Sequence, residues 1–332
     1  MLGGGVYTRH QSKLKLSFRL SVLWPLSDIM WPDFVCVVCL IIVHFQPTQA
    51  ANTQTVSAFV IIDVQECFLE GGNLAVKDGN AVIEVINRIR EKWQRFFTLT
   101  VLTKDWHCKE HVSFASSHSS RKPFEDVELN YTLKGELCSE AGGTVPGTVD
   151  CKGPTKTVAQ KLWPDHCIAN VTSGGTSSNL AKGLKTYDTD IVVIKGDNCQ
   201  RDSYSAFWDN GNFSSTALHG TLKSYGVTTV YMVGLALDYC VFESAKDAKH
   251  LGYNTFVIRD ATRPVDNTTG DSAVSTMLRA GVNVITSQQL DKLMEPSRAG
   301  NAQVRLIPDT MLLFIANVMV VVTAHSSASR SR

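Results

Sequence analysis

The chain has 332 residues, a formal net charge of +1 and an apolar fraction of 44%. That length allows one large domain or two small ones, with enough apolar content for a substantial core. The even mix of charges gives no reason to invoke nucleic acid as a partner.

The first fifty residues stand apart. Phe34 to Phe45 is a short apolar block, with Arg9, Lys13, Lys15 and Arg19 before it and Thr48-Gln49-Ala50 after it. This is the layout of a secretory leader over 1–50 with cleavage after Ala50. The region before the block is long, which makes Met30 a candidate start. A true membrane span would need about 20 apolar residues, more than this block has; a signal anchor that is never cut is the alternative.

A single hydrolase-sized domain is expected over 51–295. Thr55 to Ile62 is a fully apolar strand ending at Asp63. Asp78 to Trp93 has helical periodicity and Asp78 as its expected cap. Phe96 to Leu102 is a second strand, ending at Asp105-Trp106-His107. Ser116 to Gly153 lacks a clear period and holds Gly, Pro and many charges, so it reads as a long excursion. Val158 to Cys167 leads through Leu-Trp-Pro-Asp-His-Cys. Asp190 to Ile194 is a third strand, ending at Lys195-Gly196, and Ser214 to Tyr225 looks helical. Val227 to Val233 is a fourth strand, broken by Gly234. Cys240 then opens a helical run from Val241 to Leu251. Asn254 to Ile258 is a fifth strand, Thr269 to Ala280 a helix, and Val282 to Ile285 a sixth strand. Strands apolar on both faces that alternate with helices predict an α/β fold: a three-layer α/β/α sandwich around a mostly parallel six-stranded sheet.

The tail, 296–332, runs from small polar residues (Pro296 to Asn301) through a spacer to an apolar block, Met311 to Val322. That order matches a lipid-anchor signal, with attachment near Ser297 to Asn301. A short membrane span or a docked amphipathic tail is the alternative. Four sequons, at Asn130, Asn170, Asn212 and Asn267, suit a glycosylated chain that is secreted or displayed on the cell surface. Cys36 and Cys39 leave with the leader. Setting Cys240 aside, Cys67, Cys108, Cys138, Cys151, Cys167 and Cys199 form an even set suited to an oxidising compartment. Six cysteines allow 15 pairings. Cys138 with Cys151 would close a short glycine-rich loop and is the one pairing expected.

In open parallel sheets the ligand lies beyond the carboxyl ends of the strands. Asp63, Asp105, Lys195 and Cys240 all sit at such ends or just past them. A lone cysteine is as often a buried core residue as a nucleophile. At the first turn of a helix, however, the dipole and the unpaired N–H groups favour its thiolate. Asp63 could take the thiol proton and later give it to a leaving amine. Lys195 would hold the two negative charges together and limit the rise in the Asp63 pKa that burial causes. Taken singly, Asp63 reads as a loop cap and Lys195 as a snorkelling edge residue. Their joint occurrence favours chemistry.

Asp105 and His107, two apart in an extended segment, face one side. His166 follows the stiff Trp163-Pro164-Asp165. One carboxylate and two imidazoles suit a single divalent ion, zinc first, with iron or manganese as alternatives. His111 is an extra ligand or an outer neighbour. A lone Asp-x-His is a weak signal, and it gains weight only beside Cys240.

The chain resembles the nicotinamidase/pyrazinamidase branch of the isochorismatase-like cysteine hydrolases. Five ordered motifs carry the resemblance: Phe59-Val-Ile-Ile-Asp-Val-Gln65; Thr103-Lys-Asp-Trp-His107 with His111-Val-Ser-Phe114; Leu162-Trp-Pro-Asp-His-Cys167; Lys195-Gly196 with Asp202-Ser-Tyr-Ser-Ala-Phe207; and Gly234-Leu-Ala-Leu-Asp-Tyr-Cys-Val241. They span roughly Val56 to Leu293. The resemblance implies a catalytic triad of Asp63, Lys195 and Cys240, metal ligation by Asp105, His107 and His166, and nicotinamide as the small-molecule substrate. It also implies a cis peptide between Ala236 and Leu237, with the N–H groups of Ala236 and Cys240 forming the oxyanion hole. The metal would hold the pyridine nitrogen, with Phe68 and Trp106 as walls. A related amidase or carbamoyl hydrolase on the same scaffold, or a surface nicotinamide-binding protein without turnover, are the competing readings. The secretion signals and the cysteine-bearing excursion depart from this mostly intracellular family.

Overall fold

The structure is a computed structural model, and it describes residues 55–139 and 144–295. The expected leader and the expected tail lie outside the described residues. Among the described residues no helix is long and apolar enough to cross a membrane.

In chain order the elements are β1 (Ser57–Ile62), α1 (Ala81–Trp93), β2 (Leu99–Asp105), β3 (Asp126–Thr132), β4 (Thr155–Lys161), β5 (Ile191–Lys195), α2 (Leu218–Ser224), β6 (Thr229–Leu235), α3 (Phe242–His250), β7 (Asn254–Arg263), α4 (Asn267–Arg279), β8 (Asn283–Ile285) and α5 (Ser287–Met294). Six strands form one sheet in the order β5-β2-β1-β6-β7-β8, and every neighbouring pair is parallel.

Successive strand residues point to opposite faces, so each strand feeds two cores. Phe59, Ile61, Leu102 and Tyr231 pack on one side against Val82, Ile86 and Ile89 of α1 and Leu290 of α5. Ala58, Val60, Ile62, Val101 and Met232 pack on the other against α2, α3 and α4 through Leu222, Ala245 and Met277. All six residues of β1 are buried. At about 1.5–3 kcal/mol for each large apolar side chain buried, this central strand is fixed in position along with whatever its carboxyl end carries. The expected three-layer sandwich is therefore present.

Several boundaries differ from the sequence reading, each for a local reason. α1 starts three residues after Asp78, whose φ of +56° lies in the left-handed region and so cannot open a right-handed helix. Gly234 does not end its strand: β6 runs on to Leu235. At φ +114°, a Cβ on Gly234 would lie 2.0 Å from the Ile62 carbonyl oxygen, so only glycine lets the two backbones approach this closely. α2 is shorter than expected because the residues before it bond locally. Ser214 gives both its N–H and its hydroxyl to Asp209, and Thr216 Oγ1 donates to Ala206 O. α5 has no counterpart in the sequence reading. It is opened by a capping box between Thr286 and Gln289.

The excursion is not structureless. β3 pairs antiparallel with β4 over a small separate core of Val112, Leu129, Tyr131, Leu137 and Val145. The expected Cys138–Cys151 disulfide is present.

Candidate active site

Four neighbouring strands deliver the four expected reactive residues to one rim. Asp105 and Lys195 are the last residues of β2 and β5 and stand opposite each other in the pairing. Asp63 follows β1 directly, with a left-handed φ of +48° that Asp tolerates better than most residues. Cys240 lies in a π-helical turn, Leu237–Val241, between β6 and α3. It thus precedes the α-helix rather than sitting within its first turn.

Lys195 is 1% exposed and organises the group. Its Nζ donates to Asp105 Oδ1 at 2.5 Å and to the Ser203 carbonyl at 2.9 Å. It lies 2.8 Å from Asp63 Oδ2 and 3.5 Å from Cys240 Sγ. An ammonium has three protons to give, and all are directed at anionic or polar atoms in this rim. The Ser203 carbonyl was not read from the sequence, since backbone acceptors leave no side-chain signature. Thr103 Oγ1 donates to Asp63 Oδ1 at 2.6 Å and accepts from the Asp63 N–H at 3.1 Å. This locks the carboxylate's orientation.

The electrostatics follow from burial and proximity. Burial raises Asp63 to about 6, against the pull of Lys195 and with the push of Asp105. Burial alone would lower Lys195, but Asp105, Asp63 and Cys240 hold it well above its ordinary value. Burial pushes the Cys240 thiol well upward, and Lys195 only partly offsets this. The thiolate-favouring position expected from the sequence is therefore overridden. Burial here favours the thiol, and the Asp63 carboxylate, within 4.8 Å of the sulfur, is placed to take its proton.

Asp105, His107 and His166 also come together as expected. One donor atom from each lies within 4.8 Å of the others, and all three residues are buried. His107 Nδ1 bonds the Gly196 carbonyl and His166 Nδ1 the Pro164 carbonyl, both at 2.8 Å. A carbonyl only accepts, so each Nδ1 carries the proton and each Nε2 presents its lone pair. The two Nε2 atoms lie 3.5 and 3.8 Å from Asp105 Oδ2. These separations are long for hydrogen bonds but suited to donors sharing an ion held about 2 Å from each. His107 Nε2 is buried without a hydrogen-bond partner. These observations fit a divalent cation. Burial, with His107 next, pushes His166 down to about 3, which keeps that imidazole neutral. Gly196 is needed here twice. Its φ is +65°, and a Cβ would meet His107 Cε1 at 2.5 Å. His111 stacks on His107 with ring centroids 4.0 Å apart and groups with His107 and Asp202 rather than with His166.

A small recess opens over this rim, lined by Phe68, Asp105, Trp163, His166, Tyr239 and Cys240, among others. Phe68 is a wall, as expected. Trp106 is not: its side chain lies under Lys104 Nζ, 4.4 Å from the ring centroid, because successive residues past a strand end alternate in direction and Asp105 and His107 take the inward side. Trp163 and Tyr239 supply aromatic walls in its place, their rings edge to face at 4.8 Å. Ala236 lines the recess beside Cys240. The cis peptide is present but lies between Leu235 and Ala236, one residue earlier than expected. The turn that follows wraps the Ala236 carbonyl, which accepts from the Tyr239 and Val241 N–H groups. Asp238 anchors that turn by accepting from the N–H groups of Val265 and Asp266 and from the Thr269 hydroxyl.

The remaining cysteines pair as Cys67–Cys167 and Cys108–Cys199, while Cys240 is free and buried. The four sequon asparagines, Asn130, Asn170, Asn212 and Asn267, are all exposed.

An isochorismatase domain matches residues 57–289. The chain is 36% identical over 234 residues to the nicotinamidase of Acinetobacter baylyi, a match covering 70% of this chain and 94% of that one. It is 35% identical over 216 residues to the nicotinamidase of Escherichia coli, covering 65% of this chain and 87% of that one. Among solved structures, an Acinetobacter baumanii nicotinamidase/pyrazinamidase superposes with a TM-score of 0.58 at 35% identity, covering 71% of this chain and 98% of that one.

Proposed function

This chain belongs to the isochorismatase family, and from that premise we propose that it is a nicotinamidase, hydrolysing nicotinamide to nicotinate and ammonia. The observation that carries the reading is Lys195 Nζ, held between Asp63, Asp105 and Cys240 beside two imidazoles whose Nε2 lone pairs are presented inward. A related amidase without a pyridine substrate would have no use for that donor set.

The cycle uses the chain's own groups. Asp63 takes the Cys240 proton as Sγ attacks the carboxamide carbon. The N–H groups of Ala236 and Cys240 receive the developing oxyanion. Collapse breaks the C–N bond, and Asp63 passes its proton to the departing ammonia, leaving an acyl thioester. Asp63 then takes a proton from water as the water oxygen attacks. The C–S bond breaks, nicotinate leaves and the proton returns to sulfur. Lys195 keeps its charge throughout and moderates the burial that lifts Asp63 and Cys240. Asp105, His107 and His166 would hold a divalent metal, zinc in the first instance, with iron and manganese as alternatives. Bound there, it would supply a Lewis acid that grips the pyridine nitrogen and orients the ring. Phe68, Trp163 and Tyr239 would pack against the ring.

The test is direct. The purified protein should release ammonia and nicotinate in equal amounts from nicotinamide. Chelation should abolish this, and added zinc, iron or manganese should restore it. Turnover by the Cys240→Ala protein would sink the cycle.

We further propose that the domain works outside the cytosol, secreted or held at the cell surface through the tail. The sequence of the two ends, the three disulfides and the four exposed sequons support that placement. Recovery of the native protein only from cytosolic fractions, unglycosylated, would end it.

A further inference from the structure

The two long-range disulfides bear on the metal ligands more directly than on the rest of the fold. Cys108 is the residue after His107, and Cys167 is the residue after His166. Their partners are just as well placed. Cys199 lies four residues past Lys195, in the loop that begins with Gly196, the acceptor for His107 Nδ1. Cys67 lies four residues past Asp63 and directly before Phe68, whose ring centroid is 5.5 Å from that of His166. Backbone bonds run through the same residues. The Cys167 carbonyl accepts from the His107 N–H at 3.1 Å, and the Cys199 carbonyl accepts from the Val112 N–H at 2.8 Å. Together the two cystines join the loop after β1 to the His166 segment, and the loop after β2 to the loop after β5. Of the rim segments that carry reactive side chains, only the turn bearing Cys240 is left unbridged.

We propose that Cys67–Cys167 and Cys108–Cys199 are positioning residues for the metal site: they hold His166 and His107 at the spacing at which one ion can be shared. The proposal rests on the metal-assisted reading above. It follows from how His107 and His166 are held. Both imidazoles sit on irregular segments past the sheet, and the backbone of His107 is tied to the segment after His166 by an isolated parallel bridge to Ile168, next to Cys167. Each is oriented by one hydrogen bond to a carbonyl of its own or a neighbouring loop. Fixing the residue next to each ligand therefore fixes the lone pair's direction, in the way outer partners tune metal sites generally. One consequence is that this thiol enzyme needs an oxidising environment. Its nucleophile is a reduced cysteine, but its substrate-orienting site depends on two cystines. The third disulfide, Cys138–Cys151, lies in the excursion and serves as an internal control.

The experiment compares three double variants: Cys67→Ser with Cys167→Ser, Cys108→Ser with Cys199→Ser, and Cys138→Ser with Cys151→Ser. The zinc dissociation constant of each is measured by competition with a chromophoric chelator, alongside the melting temperature of the metal-free protein. The first two should bind zinc about 10–100-fold more weakly than wild type, with the third unchanged. KM for nicotinamide should rise in the first two more than kcat falls. Equal zinc affinity in all three, with similar losses in melting temperature, would reduce the cystines to general staples and overturn the proposal. A wild-type protein that binds no metal would instead overturn the reading beneath it. If a variant does not fold, the native protein is partly reduced, alkylated and desalted, and its retained zinc is measured by mass spectrometry alongside the pattern of alkylated cysteines. Zinc loss should track alkylation at positions 67, 167, 108 and 199. Zinc kept in fully alkylated, still folded protein would refute the role.

Discussion

The rim of the sheet and the β3–β4 hairpin belong to one domain but draw on very different amounts of buried apolar surface. β1 and β6 are buried at every position, so the residues at their carboxyl ends inherit their positions from the core. The hairpin buries only Leu129, Tyr131 and Gln160 among its strand residues and adds a disulfide to a small core. In the first region packing places chemistry. In the second, a few contacts and a covalent bond hold a flap of chain whose Lys161 leads directly into the Trp163–His166 wall. The rim should therefore fail chemically when its side chains are changed, while the hairpin should fail thermally and leave chemistry alone.

The largest effect that would break this comparison is at Cys240. Cys240→Ala should lower kcat by roughly 10⁴-fold or more, because it removes the sulfur on which the acyl thioester forms. Its denaturant midpoint should stay near wild type, as the change removes a single sulfur atom beside a solvent-reached recess. A large loss of stability would mean the rim depends on its reactive groups as well as its core.

Lys195→Met is the exception that bounds the comparison, since at this one rim position charge balance as well as chemistry is lost. It removes the only cation between two buried carboxylates, both of which Lys195 holds down. Breaking a buried charge cluster from one side costs about 3–5 kcal/mol, so unfolding by urea should begin at clearly lower concentration. Activity should also vanish. Wild-type stability with lost activity would show that the carboxylates simply protonate at no cost.

Leu129→Ala addresses the hairpin. Leu129 is 1% exposed in the satellite core, and emptying such a site costs about 2–5 kcal/mol. The melting temperature should fall while kcat/KM at a temperature well below melting stays near wild type. If KM for nicotinamide rises with it, the hairpin is helping to shape the wall that it leads into.

How much of this was legible in the sequence depends on which force placed each residue. Asp63, Asp105, Lys195 and Cys240 were readable because they end apolar runs, and a parallel sheet sends all such ends to one rim. The hairpin was not, although Val127, Leu129 and Tyr131 do alternate. Its exposed face is so charged that the short period was lost among turns and glycines. α5 was missed for want of a long apolar stripe, yet Thr286 and Gln289 carried its capping box in plain view. The burial that favours the Cys240 thiol was not legible, because helix position is a local argument whereas burial and two facing carboxylates are products of the whole fold. Two of the three disulfide pairings were beyond reach, since they span 100 and 91 residues and depend on where the loops come to rest.

The smallest predicted effect separates two tryptophans, of which the sequence offered only Trp106 as a wall. Trp106 lies between two metal-ligand candidates and looks like a wall, whereas Trp163 is 4% exposed and lines the recess. Trp163 also donates its indole N–H to Tyr204 Oη at 3.2 Å and meets Tyr239 edge to face, so its removal opens one side of the ring slot. Trp163→Ala should raise KM for nicotinamide by about 10-fold, the size of one lost aromatic contact of about 1.4 kcal/mol, with a smaller change in kcat. Trp106→Ala should leave KM nearly unmoved. It frees Lys104 from a half-exposed cation–π contact, worth about 0.5–1 kcal/mol, and that loss should register in stability alone. The reverse ranking of the two KM values would place the ring on the Lys104 side and require the recess over Cys240 to be redrawn.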